Sequence, residues 1–232
     1  MRSWERLGFG WPARIAGLLL LCVWFGASIG DETPAAPTQV LVFGDSLSAA
    51  YQLPSQAGWV AGLRERLDER APERFEVTNA SVSGETTSGG KQRLARLMHT
   101  HRPSVLVLEL GANDALRGQN LAVTEQNLQA MIDLCLQAEF ACQVVLLGIR
   151  LPPNYGPVYN AQLDKMYQRL ADRNLLLFDP FFLEPVALEA QWMQYDGLHP
   201  NAQAQPQILE RVLPLIHQAL QRVRGLDKEP LQ

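Results

Sequence analysis

After residue 30 the chain contains no Gly-x-Ser-x-Gly pentapeptide, and nowhere does it contain Gly-x-Gly-x-x-Gly or a phosphate-loop pattern. The first absence excludes the usual nucleophile elbow of α/β-hydrolases. The other two remove the familiar cradles for dinucleotides and nucleoside phosphates. No His-Glu-x-x-His or paired-cysteine spacing occurs, so no metal site is expected from the four histidines and three cysteines. Basic residues are too few for a nucleic-acid partner: 20 Lys and Arg stand against 24 Asp and Glu. Internal repeats and low-complexity tracts are missing as well.

A long apolar run is also lacking. The longest, Ile15 to Phe25, falls short of the ~20 residues that span a bilayer comfortably. Arg2, Arg6 and Arg14 precede it, and Gly26, Ala27 and Ser28 follow. Basic, then apolar, then small is the order of a secretory signal peptide, expected here over residues 1–30 with cleavage near Ser28 or Gly30. A retained N-terminal anchor is the alternative. Residues 1–30 hold three arginines and Glu5, so the remainder carries a formal charge of −6. An exported protein is expected in the periplasm or outside the cell, with no stable membrane span after cleavage. Cys135 and Cys142 then remain, an even number in an oxidising compartment. They form either a disulfide or two buried thiols, and spacing does not decide between them.

What the chain does contain is alternation. Residues 31–37 form a lead-in, and one domain is expected over residues 38–232. Strand patterns occur at Val40–Phe43, Phe75–Asn79, Val105–Leu110, Val144–Ile149 and Leu175–Phe178. Helical patterns occur around Trp59–Arg70, Gly90–His99, Thr124–Ala138, Tyr159–Arg173 and Ala202–Val223. Pro214 is expected to kink or divide the last helix. Such alternation predicts an α/β fold: a three-layer α/β/α sandwich around five parallel strands. In such sheets ligands bind beyond the carboxyl ends of the strands.

The chemistry-bearing residues fall on that rim. Ser46 follows the first strand, Gly84 the second and Asn113 the third, while Asp196 and His199 follow the fifth. A serine, an acid and a histidine are the groups that make a hydroxyl nucleophilic at neutral pH. Ser46 is the candidate nucleophile, His199 the general base and Asp196 the group that orients it. His99, His101 and His217 have no acid at comparable short spacing in a loop. The Ser46 N–H, Gly84 and Asn113 are candidates for an oxyanion hole. Taken singly, each of these residues is equally a turn or helix-cap residue. Leu151, Pro152, Pro153 and Tyr155, after the fourth strand, are candidates to line an acyl groove; a plain surface loop is the alternative.

Four segments in order carry a resemblance: Gly44-Asp45-Ser46-Leu47, Ser83-Gly84, Gly111-x-Asn113-Asp114 and Asp196-x-x-His199. Together they resemble the SGNH, or GDSL, hydrolase superfamily over essentially all of the chain after residue 37. Leu151–Gly156 and Trp192–Pro200 are similar to its thioesterase, lysophospholipase and arylesterase branch. The resemblance implies a flavodoxin-like sheet and a Ser46, Asp196, His199 triad. It also implies an oxyanion hole of Gly84, Asn113 and the Ser46 N–H. It further implies hydrolysis of small esters, acyl-thioesters or lysophospholipids with no cofactor; separately, a monomer is expected. An envelope carbohydrate O-deacetylase and a non-catalytic ligand-binding relative are the other functions such a chain would serve. Ala50 departs from the pattern, standing where a glycine is expected.

Overall fold

The computed structural model describes residues 36–225; the proposed signal segment lies outside them. Five strands make the sheet: β1 Thr38–Gly44, β2 Phe75–Asn79, β3 Val105–Glu109, β4 Gln143–Leu147 and β5 Leu177–Asp179. Their order is β2-β1-β3-β4-β5 and every pairing is parallel. The order reverses direction after β1, which is where ligands bind in doubly wound sheets. β3 is buried along its whole length, four apolar residues and the terminal Glu109, as a central strand covered on both faces should be. β2, at the edge, buries only Val77.

The helices are α1 Trp59–Arg70, α2 Thr87–His101, α3 Ala112–Leu116, α4 Leu121–Leu136, α5 Pro157–Asn174 and α6 Gln205–Arg224. α1 packs beside α6, whereas α2 packs beside α4 and α4 beside α5. Right-handed crossovers on either side of the reversal place these two groups on opposite faces of the sheet. Each helix turns an apolar stripe inward. α1 buries Trp59, Val60, Leu63 and Leu67, and α5 buries Leu163, Met166, Tyr167, Leu170 and Ala171.

Several boundaries differ from the sequence expectation for identifiable reasons. α2 starts three residues early, at Thr87, because Thr86 caps it by accepting from the Gly89 N–H at 3.3 Å. Gly89 and Gly90 look like helix breakers in sequence. Gly90 is a packing glycine: a Cβ there would stand 2.6 Å from a Leu110 methyl. β5 starts two residues late because Leu175 takes a left-handed conformation that ends α5. Pro214 does not divide α6, which continues to Arg224. Its ring lies on the exposed side, while Val212, Leu213 and Ile216 hold the buried stripe on both sides of it. The end of α4 and the start of β4 are joined by a disulfide between Cys135 and Cys142, with Cα atoms 5.4 Å apart. No helix among the described residues is long and apolar enough to cross a membrane.

Candidate active site

β1 ends at Gly44 and the chain turns at once, exposing Ser46 at the carboxyl rim of the sheet. His199 arrives from the loop between β5 and α6. Its Nε2 lies 2.9 Å from the Ser46 Oγ, and its Nδ1 lies 2.6 Å from the Asp196 Oδ2. A carboxylate at Nδ1 requires the proton there, leaving Nε2 to accept from the serine hydroxyl. The three candidate side chains thus form one unbroken hydrogen-bond chain across 153 residues of sequence.

The acid is held by its own backbone. Asp196 Oδ1 accepts the N–H groups of Leu198 at 2.9 Å and His199 at 3.0 Å. Partial burial works to raise its pKa. The two N–H bonds and the His199 ring outweigh that, so Asp196 sits below the usual carboxylate range. The tight turn needs Gly197, which has φ +65°. Gln194 fastens the loop. Its backbone N–H donates to the His199 carbonyl at 2.7 Å, and its side-chain amide donates to the carbonyls of Tyr51 and Pro200.

The donors expected for an oxyanion meet on the same rim. Gly84 follows β2 with φ +79°. Neither its N–H nor that of Ser46 donates to an acceptor among the described residues. Asn113 lies in the first turn of α3, a short helix that the sequence reading did not anticipate. Its amide donates one hydrogen to Asp45 Oδ2 at 3.0 Å, which fixes the amide plane and leaves the second hydrogen for a ligand.

A cavity of about 720 Å³ opens beside Ser46 and His199, with Leu116, Ile149, Phe181 and Leu183 among its walls. Leu151, Pro152 and Pro153 line it as well. Tyr155 does not. It is exposed at the end of the short 3-10 turn Pro153–Tyr155, where a rotation of about 120° per residue carries it away from the face that Pro153 presents. No cluster of metal-ligating side chains occurs among the described residues.

Two residues of the site have no role in the sequence reading, where Asp45 figures only as part of Gly44–Leu47 and Glu109 not at all. Asp45 and Glu109 are fully buried at the ends of the adjacent strands β1 and β3. Asp45 Oδ1 accepts the Leu47 N–H at 3.0 Å while Oδ2 holds Asn113. Burial pushes the Asp45 carboxyl up to about 6 against these bonds. Glu109 is pushed well above its ordinary value, by burial first and by the neighbouring Asp45 charge second. The available signal was a lone carboxylate inside the apolar run Val105–Leu110. Asp114, beside Asn113, takes a structural place: its carboxylate accepts the N–H and the hydroxyl of Thr87 and so ties α2 to α3.

Comparisons with known proteins give the family and the fold. The profile of the GDSL-like Lipase/Acylhydrolase family matches residues 42–205. The esterase TesA of Pseudomonas aeruginosa is 45% identical over 182 residues, which cover 78% of this chain and 89% of that protein. The thioesterase 1/protease 1/lysophospholipase L1 of Escherichia coli K12 is 41% identical, covering 76% of this chain and 82% of that one. Among solved structures, the psychrotrophic esterase EstA from Pseudoalteromonas sp., inhibited by monoethylphosphonate, superposes with a TM-score of 0.73 at 35% identity. That match covers 79% of this chain and 98% of the other. The chain belongs to the GDSL-like lipase/acylhydrolase family, and its five-stranded parallel sheet with helices on both faces is the fold of SGNH hydrolases.

Proposed function

We propose that this serine ester hydrolase cleaves carboxylic esters and acyl-thioesters through an acyl-enzyme on Ser46, with His199 and Asp196 completing the triad. The observation that carries the proposal is the continuous chain from the Ser46 hydroxyl through both His199 ring nitrogens to Asp196. In the first half-reaction the Ser46 Oγ attacks the carbonyl carbon and its proton passes to His199 Nε2. Asp196 stabilises the imidazolium that forms. The negative charge on the former carbonyl oxygen is met by the N–H groups of Ser46 and Gly84 and by the free amide hydrogen of Asn113. Collapse breaks the bond to the leaving oxygen or sulfur, which takes the proton from Nε2. In the second half-reaction water repeats the sequence, and the free acid leaves.

The apolar walls and volume of the cavity favour an acyl chain over a lone acetyl group. An O-deacetylase would not need such a chamber. Lysophospholipids, thioesters and aryl esters all present an acyl chain beside a larger polar or aromatic leaving group, and all are proposed substrates. Export is proposed on the basic–apolar–small order of residues 1–30, supported by the Cys135–Cys142 bridge. Hydrolysis of a p-nitrophenyl ester series by the purified protein tests the reaction. Turnover should peak at medium chain length and fall by at least about a thousandfold in Ser46→Ala.

A further inference from the structure

The nucleophile turn is gripped from behind by a side chain that the reaction itself does not consume. Glu109, the last residue of β3, reaches across to the turn that follows β1. Its Oε2 accepts the Asp45 N–H at 3.2 Å and the Ser48 hydroxyl at 2.8 Å. It therefore holds the residues on both sides of Ser46. Gly44 makes room for it: a Cβ at Gly44 would come within 2.5 Å of the Glu109 carboxylate and 2.9 Å of the Ser48 hydroxyl.

Glu109 is completely buried, and its hydrogen-bond partners among the described residues, the Asp45 N–H and the Ser48 hydroxyl, are both neutral. Its second oxygen, Oε1, meets no hydrogen-bond partner among the described residues. Left ionised, that oxygen would carry charge in an apolar interior with nothing to compensate it. Protonated on Oε1, it leaves one neutral O–H without an acceptor, a smaller penalty than a buried unpaired charge. Asp45, next to it, is differently supplied. Both of its carboxylate oxygens accept from donors, the Leu47 N–H and the Asn113 amide. The other titratable groups facing the pair are Asp114 of α3, Tyr167 of α5 and His199. Of these only His199 can bring positive charge, and it acts on Asp45.

We propose that Glu109 is a positioning residue for the acyl-transfer centre. It works as a neutral carboxylic acid that fixes the turn carrying Ser46, and within the Asp45–Glu109 pair it leaves the negative charge to Asp45, which aims the Asn113 amide at the oxyanion. The raised titration of Glu109 accords with this division. The inference rests on the triad reading for its effect on turnover, but its effect on stability is independent of that reading.

The sign of the pH effect follows. A carboxyl whose folded-state pKa is raised contributes stability that is present at low pH and lost as pH rises through the folded value. For Asp45 the loss runs from about 4 to about 6, and for Glu109 it starts at the ordinary carboxylate value and extends higher. The test compares wild type with Glu109→Gln and Glu109→Ala. It measures kcat and KM on a short soluble p-nitrophenyl ester, together with urea unfolding midpoints at pH 5, 7 and 9. Glutamine reproduces the neutral acid, so E109Q should keep kcat within about threefold, while its midpoint should decline less between pH 5 and 9 than that of wild type. E109A should lose on the order of 10- to 100-fold in kcat with KM nearly unchanged, as expected when reacting groups are misplaced. An E109Q that loses as much kcat as E109A while still folded, or that keeps the wild-type pH slope of stability, would overturn the proposal. Turnover that survives Ser46→Ala would instead retire the triad reading and leave the stability comparison to decide the role of Glu109.

Discussion

Tyr51 and His199 are packed ring against ring, with centroids 4.4 Å apart and planes inclined at 36°. Tyr51 belongs to the turn that carries Ser46, and its carbonyl is also held by Gln194 from the loop that carries His199. The two halves of the proposed triad are therefore fastened to each other by contacts other than the hydrogen bond between them. A catalytic imidazole on a surface loop needs such support, because a misplacement of about 1 Å can cost a hundredfold in rate.

Tyr51→Ala should accordingly lower kcat by roughly 10-fold, with a smaller change in KM, by freeing the His199 ring. Tyr51→Phe keeps the ring and should stay close to wild type. Steady-state kinetics on a soluble ester separates the two. Equal losses in both variants would assign the effect to the hydroxyl rather than to ring packing.

Asp196→Asn should reduce kcat by about 10³- to 10⁴-fold, because an amide at this position no longer enforces the tautomer that leaves Nε2 free. The same carboxylate carries a pH signature. Its folded-state pKa is lowered, so the stability it contributes is present above the ordinary carboxylate range and is lost as pH falls through the folded value. The acid limb of the thermal midpoint against pH should therefore be shallower in D196N than in wild type. An unchanged limb would mean that the bonds to Leu198 and His199 contribute nothing to folding.

Ala50 adopts φ +56°, a left-handed conformation that favours glycine. Ala50→Gly should stabilise the protein by about 0.5–1 kcal/mol, since the strain relieved exceeds the extra freedom given to the unfolded chain. Equilibrium urea unfolding measures this directly. The side chain also makes a contact: a Cβ on Gly58 would lie 2.8 Å from the Ala50 methyl, so the 50–58 loop is closely folded on itself. A destabilised A50G would show that the packing of that methyl outweighs the backbone strain.

The sheet was legible because its strands are short and nearly continuous apolar runs. Val105–Glu109 is the clearest, and only a strand buried on both faces accounts for it. Parallel order followed from the helical pattern between each pair of strands. The rim was legible for the same reason, since Ser46, Gly84 and Asn113 each come directly after a strand. What escaped was whatever depends on contacts between segments distant in sequence. The hydrogen bond between Asn113 and Asp45 spans 68 residues, and the grip of Glu109 on Ser48 spans 61. No local pattern marks either. Helix α3 is five residues long, too short to show a period. Tyr155 was placed in the groove on composition alone, and the handedness of a single 3-10 turn sends it into solvent instead.

Covalent labelling decides whether Ser46 is the nucleophile. Purified protein is treated with an alkyl fluorophosphonate, and its intact mass and peptide map are followed alongside residual esterase activity. The account predicts one adduct per chain, located on Ser46, with activity lost in proportion to labelling. Labelling should be absent in Ser46→Ala and strongly slowed in His199→Ala. An adduct on any other residue, or ester hydrolysis that continues undiminished once Ser46 is fully modified, would contradict it.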